Sequence, residues 1–265
     1  MPLLYEKDGE IATFTFENGK LNPTDPQMHK DLALALKDFE ESRVLKVGIM
    51  RGAGTRAFSA GDDIKTPRKN LETEEAVWAH FYPHDPEADL SFAAWERAVA
   101  AQPRFKPIVA AVRGYAFGQG LIYLLRLTDI RVAGESAKLG FPEIPFGLGG
   151  GGGFARVHKH IPRAVAMKML LTGEPIDAKE ALRLNIVNEV VPDAEADARA
   201  RAIALKIAQS PLLAIRAEME IFVRGENLTD EQAAAMTDHI YRLQVLGLNS
   251  ERFPIDFKAK QKGNE

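Results

Sequence analysis

The stretch Lys106–Glu143, KPIVAAVRGYAFGQGLIYLLRLTDIRVAGESAKLGFPE, decides the fold. Ile108-Val109-Ala110-Ala111-Val112 is a continuous apolar run, as expected of a strand covered on both faces. Gly114, Gly118 and Gly120 then punctuate a tight turn, and Leu121–Leu127 reads as an apolar helix. The order is therefore strand, turn, helix. A helix that starts beside Gly118-Gln119-Gly120 directs unbonded N–H groups and its positive dipole end at whatever precedes it. Such a terminus is suited to holding a negative oxygen. Further on, Glu143 stands in Gly140-Phe141-Pro142-Glu143-Ile144-Pro145, an apolar, turn-rich setting that raises a carboxylate's pKa and suits it to moving protons.

Upstream, Leu3–Glu6 and Ile11–Phe16 flank Lys7-Asp8-Gly9 and predict a β-hairpin. Pro26–Ser42 carries Leu32, Leu36 and Phe39 at helical spacing, and Val44–Met50 reads as a third strand. A small-residue loop follows, Ala53 to Ile64, in which backbone can approach a ligand closely. Taken alone, that loop reads as a surface turn with an Asp helix cap. Thr66–Asp89, with Trp78, Phe81 and Tyr82 among prolines, suits a lid or pocket wall. Leu90–Gln102 reads as a helix leading into the central stretch, and Ile130–Ala133 and Lys138–Phe141 read as short strands. This alternation implies an α/β layered domain.

Five consecutive glycines, Gly149–Gly153, follow Phe146-Gly147-Leu148. Pro142 and Pro145 interrupt the strand that a dinucleotide-binding G-x-G-x-x-G requires, so the run, Gly151 at its centre, better serves close approach of backbone to a substrate. Beyond it, Ala164–Thr172 reads as a helix stopped by Gly173. Asp177 and Glu180 cap Ala178–Leu184, with Asn185 as its left-handed end, and Ile186–Val191 is the last strand. From 193 the chain is helical: Ala194–Gln209, a helix with Ser210 as N-cap and Pro211 at its first position, and one from Thr229 to Leu248 with Gln232 closing a capping box.

Composition narrows the function. With 34 basic and 37 acidic residues and a net charge of -3, nothing favours nucleic acid or an anionic membrane. No cysteine is present, which removes disulfides and thiolate chemistry. No segment approaches the ~20 apolar residues of a membrane span, and no basic leader precedes an apolar run, so a soluble cytoplasmic protein is expected.

Three pieces stand in fixed order: Phe58-Ser59-Ala60-Gly61-Asp62-Asp63-Ile64, then Lys106 to Gly120, then Gly140-Phe141-Pro142-Glu143. Together they resemble the crotonase superfamily, the enoyl-CoA hydratases and isomerases. Thr128-Asp129-Ile130 and the span from Leu171-Thr172-Gly173 to Val187-Asn188-Glu189-Val190-Val191 extend the match over most of the chain. The resemblance implies a spiral of β-β-α units over 1–192 and a C-terminal helical region, 193–265, that builds a homotrimer or a dimer of trimers. It implies an acyl-CoA thioester substrate, with CoA entering as part of the substrate and no separate cofactor.

By motif position, the N–H groups of Ala60 and Gln119 would hold the thioester oxygen, and Glu143 would be the general acid and base. Ser59, Gly61, Asp62, Asp63, Ile64 and Gly118 would contact substrate, the Ala60–Ile64 loop receiving the adenine and pantetheine of CoA. Phe257 and Lys260 would meet the adenine and phosphates. Hydratases of the family use a second glutamate at the position of Ile122, which carries no proton. A single-acid site leans towards double-bond isomerisation or non-standard hydration. The alternatives from the same enolate are hydrolysis, decarboxylation and C–C cleavage, with a water or a lid residue such as Tyr82 or His84 standing in for the absent acid, or acyl-CoA binding without turnover. Asp62 and Asp63 read as capping or CoA-loop residues rather than catalysts. His80, His84 and Asp85, and His158 with His160, read as surface or pocket-wall residues rather than metal ligands.

Overall fold

The computed structural model of the chain describes residues 2–66, 74, 92–149 and 157–248. They fall into two compact units, Met1–Pro103 with Pro107–Gln209, and Arg104–Lys106 with Ser210–Glu265.

The first unit is built on a six-stranded mixed sheet. Strands β1 (Leu3–Asp8) and β2 (Ile11–Phe16) form the expected hairpin. Strands β3 (Val47–Gly52), β5 (Ile108–Val112), β7 (Ile130–Gly134) and β10 (Glu189–Val191) continue the sheet in parallel from β2. The apolar run in β5 is covered on both faces. Ile108, Ala110 and Val112 belong to one core cluster, and Val109 and Ala111 to the other. On the first face, α1 (Pro26–Glu41) buries Leu32, Leu36 and Phe39, with Phe39 edge-on to Phe14 at 5.6 Å. On the second face, Ala196, Ala200, Ala204 and Ala208 of α6 (Ala196–Ala208) pack with Val47, Ile49 and Val132. That four-residue spacing puts one smooth stripe of methyl groups against the strands.

Two expected strands are shorter than anticipated. The Ser42 hydroxyl accepts from the N–H groups of Val44 and Leu45, at 3.2 and 3.1 Å, so residues 42–45 turn and the strand starts at Val47. Likewise Asn185 is left-handed at φ 57°, and the Asn188 side chain accepts the Arg131 N–H at 2.8 Å, so only Glu189–Val191 pairs.

A second, four-stranded sheet was not anticipated as such. It consists of β4 (Ala57–Ser59), β6 (Tyr115–Phe117), β8 (Lys138–Gly140) and β9 (Ile176–Asp177) in that order. The chain passes from β3 to β4, from β5 to β6 and from β7 to β8, giving each turn one strand in each sheet. Helices α2 (Phe92–Ala101) and α3 (Gln119–Leu127) close two of these turns. This is the expected spiral of β-β-α units. Helices α4 (Arg163–Thr172) and α5 (Ala178–Arg183) follow, α5 capped by Asp177, whose side chain accepts the Glu180 N–H at 2.8 Å.

The helical region expected from 193 starts with a short 3-10 turn, Asp193–Glu195, and α6, both within the first unit. The second unit carries α7 (Leu212–Gly225) and α8 (Asp230–Leu248). Pro211, rather than Ser210, occupies the N-cap of α7. The capping box before α8 is formed in both directions, Thr229 N–H to Gln232 Oε1 at 3.2 Å and Gln232 N–H to Thr229 Oγ1 at 3.3 Å. Within this unit Arg224 lies over the Phe105 ring at 4.9 Å. Among the described residues no helix is long and apolar enough to cross a membrane.

Phe39 ties α1 to the sheet, so Phe39→Ala is expected to destabilise the protein by about 3–5 kcal/mol. Leu34→Ala, at an exposed position of the same helix, is expected to leave stability nearly unchanged. The shift in denaturation midpoint of each variant checks this.

Candidate active site

Strands β4, β6 and β8 are adjacent and parallel, so their C-terminal ends deliver three chain segments to one place. β4 ends in Ser59 and releases Ala60-Gly61-Asp62. β6 ends at Phe117 and releases Gly118-Gln119. β8 ends at Gly140 and releases Phe141-Pro142-Glu143. The three pieces that are far apart in sequence meet at this edge.

Gly118 is the pivot. It has φ 51°, a conformation that only glycine adopts without strain, and a Cβ there would collide with Glu143 Oε1. The Glu143 carboxylate therefore lies directly over the Gly118 backbone. Gly61 closes the other side, since a Cβ on it would stand 3.3 Å from the Gln119 nitrogen. Gln119 is the first residue of α3, where the N–H has no intrahelical acceptor and the helix dipole is positive. Its side chain is nearly buried, with 7% exposure.

Asn22 and Thr24 hold the loop after β4. Asn22, left-handed and fully buried, donates its amide to the carbonyls of Ala53 and Ala57 at 3.0 and 2.9 Å. Thr24 bridges Asp62: its N–H reaches the Gly61 carbonyl at 2.8 Å, and its carbonyl accepts from Asp63 N–H at 2.7 Å. In such a parallel bridge the N–H of Asp62 itself projects away from Thr24. Ser59 is fully buried, and its hydroxyl accepts the Gly61 N–H at 3.2 Å, making it a loop fastener.

The expected oxyanion donor at Ala60 needs correction. Its N–H donates to the Leu21 carbonyl at 2.9 Å and so serves the fold. Asp63 caps a turn, its carboxylate accepting from Lys65 N–H and the Thr66 hydroxyl, both at 3.0 Å. Ile64 is 88% exposed at the loop's end. Ile122, one turn into α3, is buried and adds an apolar wall. Gly151, Phe257 and Lys260 lie outside the described residues, as do Trp78, His80, Phe81, Tyr82, His84 and Asp85.

The electrostatics make Glu143 harder to ionise than an ordinary carboxylate. Burial pushes its pKa above the usual carboxylate value, hydrogen bonding to backbone offsets part of this, and the negative charge of Asp62 raises it further. Its Oε2 is buried and has no hydrogen-bond partner among the described residues. A carboxyl so placed can take and return a proton, beside an N–H group able to hold the charge that proton loss creates. Sequence reading missed the polar side chains under the loop: Asn22, Thr24, His29 and Tyr123. A usable signal was His29, a polar residue on the core stripe of α1, between Met28 and Leu32.

Comparison with known proteins accords with this geometry. Residues 6–244 match the family model described as enoyl-CoA hydratase/isomerase. The chain is 35% identical to the (E)-benzylidenesuccinyl-CoA hydratase of Thauera aromatica, covering 86% of this chain and 84% of that one. It is 33% identical to the carnitinyl-CoA dehydratase of Escherichia coli K12, over 86% and 82% of the two chains. The structure resembles an enoyl-CoA hydratase from Geobacillus kaustophilus with a TM-score of 0.80 and 26% identity, over 100% and 95% of the chains.

A carboxyl whose folded pKa lies above its unfolded value contributes stability below the unfolded pKa and loses it as pH rises through the folded pKa. Glu143→Gln is therefore expected to raise the denaturation midpoint at neutral pH, while the difference from wild type shrinks as pH falls below the unfolded carboxyl pKa. Denaturation of both proteins across that acidic range measures it. A Gln variant less stable than wild type at neutral pH contradicts the assigned burial cost.

Proposed function

We propose a reaction for this chain, which belongs to the enoyl-CoA hydratase/isomerase family: the reversible addition of water to a 2-enoyl-CoA thioester through an enolate. The observation that carries it is the Glu143 carboxyl seated over Gly118, next to the Gln119 N–H at the start of α3. Removing or adding a proton at the thioester α-carbon places negative charge on the carbonyl oxygen. A preorganised N–H donor stabilises that charge by about 2.7–4 kcal/mol.

Gln119 N–H supplies one donor. The N–H groups of Ala60, Gly61 and Asp63 are directed at Leu21, Ser59 and Thr24, so we assign the second donor to the N–H of Asp62, which projects away from Thr24 beside Gly61. Glu143 delivers the proton to the α-carbon in hydration and takes it in dehydration. No cofactor is required, CoA being part of the substrate. The names hydratase and dehydratase on the similar proteins support addition and removal of water.

A second reading has its own observation. Ile122 places no carboxylate one turn into α3, and a site with Glu143 as its only acid shifts a double bond by moving one proton between carbons. Self-assembly into trimers accompanies either reading, supported by the exposed Phe222, Tyr241, Leu243 and Leu246 on α7 and α8.

Purified protein mixed with 2-enoyl-CoA is expected to bleach the conjugated thioester absorbance as water adds. Glu143→Gln is expected to lower kcat by about 10²–10⁴-fold. Formation of that absorbance from 3-enoyl-CoA, without bleaching of 2-enoyl-CoA, selects isomerisation instead. Inertness towards both esters overturns the assignment.

A further inference from the structure

Behind the loop that carries Asp62 runs a polar chain that the reaction above leaves unexplained. His29, on the core face of α1, is fully buried, and its Nδ1 lies 2.5 Å from the Tyr123 hydroxyl of α3. The imidazole Nε2 faces Asp62 Oδ1 at 3.6 Å, and the Thr24 hydroxyl donates to the same oxygen at 2.9 Å. The rings of His29 and Tyr123 meet edge to face at 5.7 Å, with Phe16 stacked on Tyr123 at 6.5 Å. Apolar side chains would fill this space without the cost of burying an imidazole and a phenol. A buried polar chain that ends on a partly exposed carboxylate, beside the substrate loop, has a use beyond packing.

We propose that Asp62 is the second proton-transfer group of the site, taking the role that Ile122 cannot fill, and that His29 and Tyr123 position it. This rests on the hydration reading above. Asp62 and Glu143 leave the ends of strands separated only by β6, and Gly61, the residue before Asp62, flanks Gly118 on one side as the Glu143 carboxylate does on the other: the Cβ position of Gly118 lies 3.8 Å from Gly61 Cα and against that carboxylate. The charge of Asp62 is felt by Glu143, as two carboxylates sharing one site require.

The tautomer follows from Tyr123. Burial, and then the charge of Glu96, hold its hydroxyl pKa well above the ordinary value, against the Gln119 amide and with the charge of Asp62 adding to them; Arg126 acts in the lowering direction. The hydroxyl keeps its proton; we assign it as donor to Nδ1, which leaves the hydrogen on Nε2, pointing at Asp62. At 3.6 Å this contact steers the carboxylate electrostatically and is longer than a hydrogen bond.

In hydration, Asp62 takes a proton from water as the water oxygen bonds to the β-carbon. The electrons of the double bond move onto the thioester oxygen, held by the N–H of Gln119. Glu143, in its acid form, then protonates the α-carbon as the carbonyl reforms. Water has been added across the double bond, and the proton left on Asp62 returns to Glu143 through solvent.

The test separates this proposal from the reading beneath it. Hydration of a 2-enoyl-CoA ester is measured alongside exchange of the α-proton of a saturated acyl-CoA with deuterated water, a step that needs only the N–H donors and Glu143. Asp62→Asn keeps the backbone N–H and an acceptor for Thr24. It is expected to lower kcat for hydration by about 10²–10⁴-fold while exchange, which uses the Asp62 N–H and not its carboxylate, persists with a far smaller change. Tyr123→Phe is expected to lower kcat for hydration by roughly three- to tenfold with KM unchanged. An Asp62→Asn protein that hydrates at the wild-type rate, or that loses hydration and exchange equally, overturns the proposal. Unchanged kcat in Tyr123→Phe overturns the positioning role. A wild-type protein that does not hydrate sinks the hydration reading and this proposal with it; a wild type that hydrates, with an Asp62→Asn variant that hydrates equally well, sinks this proposal alone.

Discussion

The site depends on the parallel register of three strands only three residues long, β4, β6 and β8. Phe117 pairs with Gly140 and Ser59 with Ala116, which fixes where each chain leaves the sheet. A slip of one residue in this register would turn alternate side chains to the opposite face and separate Glu143 from Gln119. Such short strands cannot hold their register alone. The larger sheet holds it for them, because β3, β5 and β7 each feed one of the three through connections of only four, two and three residues. Burial of the two-sided core and placement of the reacting groups are thus one problem solved once.

The same geometry explains why the centre is chemically poised. Glu143 is half-buried and feels the charge of another carboxylate, both of which oppose its ionisation. The start of α3, with its positive end, stands next to it and, in the proposed reaction, supports negative charge on a substrate oxygen instead. In that proposed reaction, charge is discouraged on the resting carboxyl and supported on the enolate. Glycine at 118 is what allows the two to touch, since any side chain there would occupy the space of the carboxylate.

Much of this was legible in the sequence. The apolar run of β5, the helical spacing of α1 and the caps at Asp177 and Thr229 all carry local signals, and each appears where those signals put it. Three ordered motifs pointed to Glu143, Gln119 and the loop from Ser59 to Ile64. The small second sheet was not legible, because three-residue strands bounded by glycine show no periodicity. The N–H of Ala60 was misassigned because its partner, Leu21, is remote in sequence and belongs to no motif. His29 looked like one polar residue on an amphipathic helix. Only the fold brings it against Tyr123 and Asp62, from three separate elements.

The claim on which everything else rests is that the start of α3 polarises a thioester carbonyl beside Glu143. The infrared difference spectrum of an acyl-CoA labelled with ¹³C at its thioester carbon reports this directly. The carbonyl stretch of the bound ester is expected to move to lower frequency than in water, as donors pull electron density towards oxygen. A bound ester whose carbonyl stretch stays at or above its frequency in water would contradict it.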